Sequence, residues 1–140
     1  MKFQELVKNI EENKDAVSNI DLKSVEEIAK RIDEVRSNNK TVFVAGNGGS
    51  SSTASHFVND LMKATLNKNK NLIKAISLSD NIPLLTAISN DIDYSETFRF
   101  PLRSLSSDGD LLVVISASGN SKNLINAVDY CKENKIFTVG

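Results

Sequence analysis

The spacing of apolar residues along the chain changes several times, and each change marks an element. Phe3, Leu6, Val7 and Ile10 recur at i, i+3, i+4 and i+7, which predicts an amphipathic helix from Lys2 to roughly Asn13. Val25, Ile28, Ala29, Ile32 and Val35 mark a second helix, with Ser24 and Glu27 at capping-box spacing, and Ser37 to Lys40 stops it. The pattern then turns continuous: Val42, Phe43 and Val44 suit a strand buried on both faces. From Ser51 to Leu66 helical spacing returns, with Ala54, Phe57, Val58, Leu61, Met62 and Thr65 facing a core and His56, Asn59, Asp60 and Lys63 on another side.

Asn67 to Asn71 reads as a turn and Ile73 to Leu78 as a second strand. Ser79 to Pro83 then supplies caps and a proline suited to a first helical turn; Leu84, Leu85, Ala87 and Ile88 continue that helix until Ser89, Asn90 and Asp91 end it. Another helix, over Ser95 to Leu105, is expected to be redirected at Pro101. Leu111 to Ile115 is the clearest buried strand. A helix striped by Leu124, Ile125, Ala127, Val128 and Cys131 follows, and Ile136 to Val139 opens a last strand. Two helices followed by repeated strand–helix units need crossover connections, so the prediction is a three-layer α/β/α sandwich on a parallel sheet. Residues 1–39 form a helical segment for packing or oligomerisation, and 40–140 the α/β domain. A sheet that stops on a strand, with no closing helix, raises the expectation that the domain is incomplete at its C-terminus.

Composition narrows the function. A chain of 140 residues is one domain or part of one, and a formal charge of −1 with interspersed signs offers no face for nucleic acid. Lys68, Lys70 and Lys74 are the densest basic cluster and read as a solvated loop. No apolar run approaches the ~20 residues of a membrane span, and Met1 to Glu5 lacks the apolar stretch of a signal peptide. A cytoplasmic protein with no membrane partner is therefore expected. The single Cys131 has no internal disulfide partner and reads as a small buried helix residue.

The chemistry concentrates in two loops. Gly46 to Thr53 and Ser116 to Ser121 both leave buried strands and both open helices, so a parallel sheet brings them to the same edge. The second loop offers the hydroxyls of Ser116, Ser118 and Ser121 and the N–H groups of a helix start, a donor set without fixed charge that fits a phosphate monoester. The same residue types also build ordinary turns and caps; two such loops after two buried strands favour the phosphate. A P-loop would carry a lysine, and neither loop has one. A dinucleotide fingerprint would need glycine at Ser51, with Asp80 as its distant acidic residue, so NAD is the weaker alternative and no nucleotide cofactor is expected. His56 and Asp60, at i and i+4, share a helix face: they could hold a metal, Asp60 could act as a base, or the two could form an exposed pair worth a few tenths of a kcal/mol.

Ala45 to Ser50, His56-Phe57, Ala87 to Asp91, Gly109-Asp110 and Ile115 to Ser121 together resemble the sugar isomerase (SIS) domain, specifically the sedoheptulose 7-phosphate isomerases, or phosphoheptose isomerases. The resemblance implies a flavodoxin-like parallel sheet and conversion of sedoheptulose 7-phosphate into D-glycero-D-manno-heptose 7-phosphate. It also implies a cytoplasmic homotetramer with active sites at subunit contacts, and zinc as cofactor. By position it assigns Ser116, Ala117, Ser118 and Ser121 to the phosphate, and Asn47, Gly48, Gly49 and Ser50 to the sugar, with Asn90 and Asp91 completing the pocket. His56 falls on a metal-ligand position, and Asp60 on that of a glutamate serving as base and ligand. Two departures stand out, Asp60 for glutamate and Ala117 for a common threonine. The family's distal glutamine and histidine would lie beyond Gly140. The implied mechanism is an aldose–ketose isomerisation through an enediol. The rival reading is a non-catalytic SIS protein, a phosphosugar sensor or a scaffold of the replication-initiator-binding type, which the change at Asp60 favours and His56 opposes.

Overall fold

A computed structural model describes residues 3–66 and 71–140. Lys68 and Lys70, most of the turn expected at 67–71 and the first two residues lie outside the described residues. The elements are α1 (Phe3–Ser18), α2 (Leu22–Ser37), β1 (Thr41–Gly46), α3 (Gly49–Lys63), β2 (Lys74–Ser77), α4 (Ile82–Asp91), a 3₁₀ turn (Tyr94–Glu96), α5 (Arg99–Leu105), β3 (Leu111–Ile115), α6 (Lys122–Glu133) and β4 (Phe137–Val139). The chain divides into two units, Met1–Lys30 and Arg31–Gly140, with the division inside α2.

In the second unit the four strands are all parallel and lie in the order β2-β1-β3-β4. The expected sandwich is present, and alternation along β1 explains its layers. Successive strand residues point to opposite faces. Val42 and Val44 pack with Val35 of α2, Ala54, Val58 and Leu61 of α3, Ala75 and Leu111. Phe43 and Ala45 pack on the other face with Phe98, Leu102 of α5, Leu112, and Leu124, Ala127 and Cys131 of α6. All four β1 residues are removed from water, as the continuous apolar run predicted.

At the amino edge of the sheet the buried Asp110 ties three segments together. Its Oδ1 accepts the Thr41 N–H (2.8 Å), and its Oδ2 accepts the Ser107 N–H (2.6 Å) and hydroxyl (3.2 Å). A carboxylate 3% exposed is tolerable because its lone pairs are taken.

Several boundaries differ from the sequence expectation. α1 runs on to Ser18, since no glycine or proline interrupts it. α2 is started by Asp21 rather than by a Ser24–Glu27 box: Asp21 accepts the Lys23 N–H and the Ser24 hydroxyl, and those bonds, the hydroxyl first, lower its carboxyl pKa. α3 begins at Gly49, so Gly49 and Ser50 are helical. α4 continues through Asn90 and Asp91 instead of ending before them. Pro101 sits in the first turn of α5, where its missing N–H costs nothing, and the expected helix is split ahead of it. Asp110→Ala should leave two backbone N–H groups unpaired and lower stability by about 2–4 kcal/mol, read as a reduced urea midpoint.

Candidate functional site

The order β2-β1-β3-β4 reverses direction between β1 and β3, and the loops leaving those strands part there. The first loop begins at Gly46, where a Cβ would stand 2.6 Å from the Ser50 carbonyl oxygen. Only glycine lets the strand end approach the first turn of α3 so closely. Gly48 follows at φ 53° and ψ −122°, a conformation open to glycine, and turns the chain into the helix with no side-chain cap. In the second loop Gly119 also has positive φ, 66°. Its N–H donates to Ser116 Oγ (3.1 Å), and the Asn120 N–H donates to Ser118 Oγ (3.3 Å). Ser121 precedes α6 without spending its hydroxyl on a cap.

Both loops line one cavity of about 200 Å³, bounded by Asn47 and Ser50 on one side and Ser116, Ala117, Ser118 and Ser121 on the other. Ile115 and Leu124 complete its lining. The lining carries no charged side chain; its electrostatics come from hydroxyls, amides and the positive end of α6. Six of the residues assigned to substrate are thus brought together. Gly48 and Gly49 are exposed beside the cavity in sequence, and Asn90 and Asp91 are exposed in the last turn of α4, where the Asn90 amide donates to the Asp91 carboxylate (2.7 Å).

His56 and Asp60 lie on α3 with Nε2 and Oδ2 3.2 Å apart, their side chains 76% and 50% exposed. At 1.5 Å per residue, Asp60 stands about 16 Å of helix beyond Gly49. Zinc takes three or four protein ligands. His56 and Asp60 supply two donors, and among the described residues no group of three or more His, Cys, Asp or Glu side chains could hold a metal. The pair by itself does not make a zinc site.

Behind the cavity lies a network that the sequence did not reveal. The side chains of Asn47 and Asn123 form a reciprocal amide pair: each Nδ2 donates to the other Oδ1 at 2.9 Å. Asn123 is 2% exposed, and its Nδ2 also donates to Thr97 Oγ1 (3.1 Å) while its Oδ1 accepts the Leu124 N–H (3.0 Å). The Tyr94 hydroxyl donates to Asn47 Oδ1 (2.8 Å). One local signal existed: Asn123 stands four residues before the buried Ala127, on the packed side of α6. Asp80, the residue a dinucleotide reading would need, accepts the Ser55 and Ser77 hydroxyls on its Oδ1, at 2.5 and 2.9 Å. Cys131 is fully buried, and burial, with the Asp110 charge second, pushes its thiol up to about 12.

Comparison with known proteins gives one consistent result. The SIS domain profile matches residues 5–140. The phosphoheptose isomerase of Aneurinibacillus thermoaerophilus is 35% identical over 119 residues, spanning 85% of this chain and 60% of that protein. The probable phosphoheptose isomerase of Thermoplasma acidophilum is 36% identical over 132 residues, 94% of this chain and 72% of that protein. The structure of the phosphoheptose isomerase from Neisseria gonorrhoeae superposes with a TM-score of 0.84 at 29% identity, covering 98% of this chain and 73% of that one. The chain therefore spans between three-fifths and three-quarters of the length of these relatives. Among the described residues no helix is long and apolar enough to cross a membrane.

Two measurements check the division between surface pair and buried network. His56→Ala should change unfolding free energy by less than about 0.5 kcal/mol, whereas Asn123→Ala should cost about 2–3 kcal/mol because it strands its partners. Cys131 should resist a thiol-specific disulfide reagent at neutral pH and react once urea unfolds the chain.

Proposed function

The chain belongs to the SIS-domain family, among the phosphoheptose isomerases, and from that premise we propose that it is a phosphosugar aldose–ketose isomerase acting on sedoheptulose 7-phosphate. The observation that carries the reading is the uncharged, hydroxyl-rich cavity formed where two glycine-serine loops meet at the carboxyl ends of β1 and β3. A phosphate there would accept hydrogen bonds from Ser116, Ser118 and Ser121 and from N–H groups at Ala117 and the start of α6. The sugar would extend toward Asn47, Gly48, Gly49 and Ser50, with Asn90 and Asp91 at its margin. Holding the phosphate away from the reacting carbons supplies orientation.

In the reaction a base removes the C1 proton of the ketose, the C1–C2 enediol forms, and the proton returns to C2 while the C1 hydroxyl proton passes to O2. Asp60 is the proposed base. It is one methylene shorter than the family's glutamate, a retraction of about 1 Å that can cost roughly 100-fold where geometry is tight. The distance along α3 from the loop to Asp60 favours a site shared between subunits, in which this pair serves a neighbour's sugar. A homotetramer with residues 1–39 in its contacts fits that arrangement, since α1 has no buried residue and leaves Phe3 and Ile10 exposed. Zinc on His56 and Asp60 would need ligands beyond these two, and the proton transfers are written without it. A cytoplasmic setting agrees with a phosphorylated sugar substrate.

The test is turnover of sedoheptulose 7-phosphate by the whole protein, with and without added zinc. No turnover alongside tight binding would replace the enzyme with a phosphosugar sensor or scaffold, the reading that aspartate in place of glutamate at position 60 favours and His56 opposes. Ser118→Ala combined with Ser121→Ala should weaken phosphosugar binding about 100-fold by calorimetry, at about 1.5 kcal/mol for each charge-assisted bond, and leave the melting temperature unchanged.

A further inference from the structure

The proton positions behind the first loop follow from the groups that have no choice. The Leu124 N–H can only donate, so the Asn123 atom 3.0 Å from it is the carbonyl oxygen. Thr97 Oγ1, donating its one proton to the Tyr94 carbonyl (2.9 Å), accepts from Asn123 Nδ2 (3.1 Å), which agrees with the orientation that the Leu124 N–H sets. The reciprocal pair then orients Asn47, whose Oδ1 must face Asn123 Nδ2 and whose Nδ2 must face Asn123 Oδ1, each at 2.9 Å. With that oxygen acting as acceptor, the Tyr94 hydroxyl 2.8 Å away is a donor.

Asn47 Oδ1 is thereby saturated by two donors. One Nδ2 hydrogen remains, with no second partner among the described residues, on a side chain that lines the cavity. Tyr94 is held in turn. Asp93 accepts the Ser95 N–H (2.8 Å) and caps the 3₁₀ turn, while the Asn126 amide on α6 donates to the Ser95 carbonyl (3.1 Å).

We infer that Tyr94 is a positioning residue: through Asn47 it presents one oriented amide N–H to an oxygen of the bound sugar phosphate, so that the first loop contributes a donor rather than an acceptor. The inference rests on the phosphosugar reading of the cavity. A donor fixed before binding loses little freedom when the ligand arrives. Without the tyrosine hydroxyl, Asn47 keeps its bonds to Asn123 and loses the lateral one that holds the amide plane. Tyr94 is 53% exposed, so the hydroxyl can be removed with little effect on folding.

The test is Tyr94→Phe in the whole protein. Affinity for sedoheptulose 7-phosphate should fall about tenfold, while affinity for inorganic phosphate, which needs only the second loop, stays within about twofold. The melting temperature should stay within about 1 °C. In an Asn47→Ala background the same substitution should have no further effect on binding, because Tyr94 acts through Asn47. In the free protein, NMR should show one Asn47 side-chain hydrogen exchanging slowly and the other fast, with Tyr94→Phe speeding the slow one. Unchanged sugar affinity in Tyr94→Phe, an equal loss in both backgrounds, or equal protection of the two Asn47 hydrogens would overturn the inference. A wild-type protein that binds no sedoheptulose 7-phosphate would sink the phosphosugar reading, and the amide exchange would then decide the Tyr94 arrangement alone.

Discussion

The burial of β1 on both faces is the constraint on which the second unit depends. Val42 to Ala45 are shielded by α2 and α3 on one side and by α5 and α6 on the other, with β2 and β3 along the two edges. A strand so enclosed can release its chain only at its carboxyl end, beside the end of β3. The polar loops emerge there because backbone amides and hydroxyls with no partner could not be left farther inside. The position of the cavity is a consequence of where the apolar residues must go.

The enclosed strands were also the most legible part of the chain. β1 reads as a continuous apolar run because it has no wet face, β3 is buried at Leu111 and Leu112 and half-buried beyond them, and the glycines and serines after both are residues that the turns need. Element ends were less legible. Asp21 outcompeted Ser24 as the start of α2, and Asn90 and Asp91 look like turn residues while lying within α4. Local composition cannot rank two neighbouring caps or show that a helix is held open by its packing.

The cavity lining was readable from its two loops, whereas the support behind it was not. Asn123 is marked in the sequence only by its i, i+4 spacing to Ala127, and the tyrosine that meets Asn47 comes from a turn after α4 with no glycine signature. Such contacts join distant segments, and their pattern exists only once the sheet has assembled. Asp110 is the same kind of case at the opposite edge: the Gly109-Asp110 pair belonged to the resemblance, but the carboxylate's bonds to Thr41 and Ser107 explain it. The relation of His56 and Asp60 to the cavity was the least readable feature, since helix geometry separates them from a loop that is near in sequence.

The amide pair spans 76 positions of chain. Closing so large a loop is entropically expensive and waits on the strands between. The oriented Asn47 needs β1, β3, the start of α6 and Tyr94 brought together, and the glycines and serines alone do not make that geometry. Under the proposed function, a sugar phosphate that binds only the assembled cavity would stabilise the folded chain by mass action.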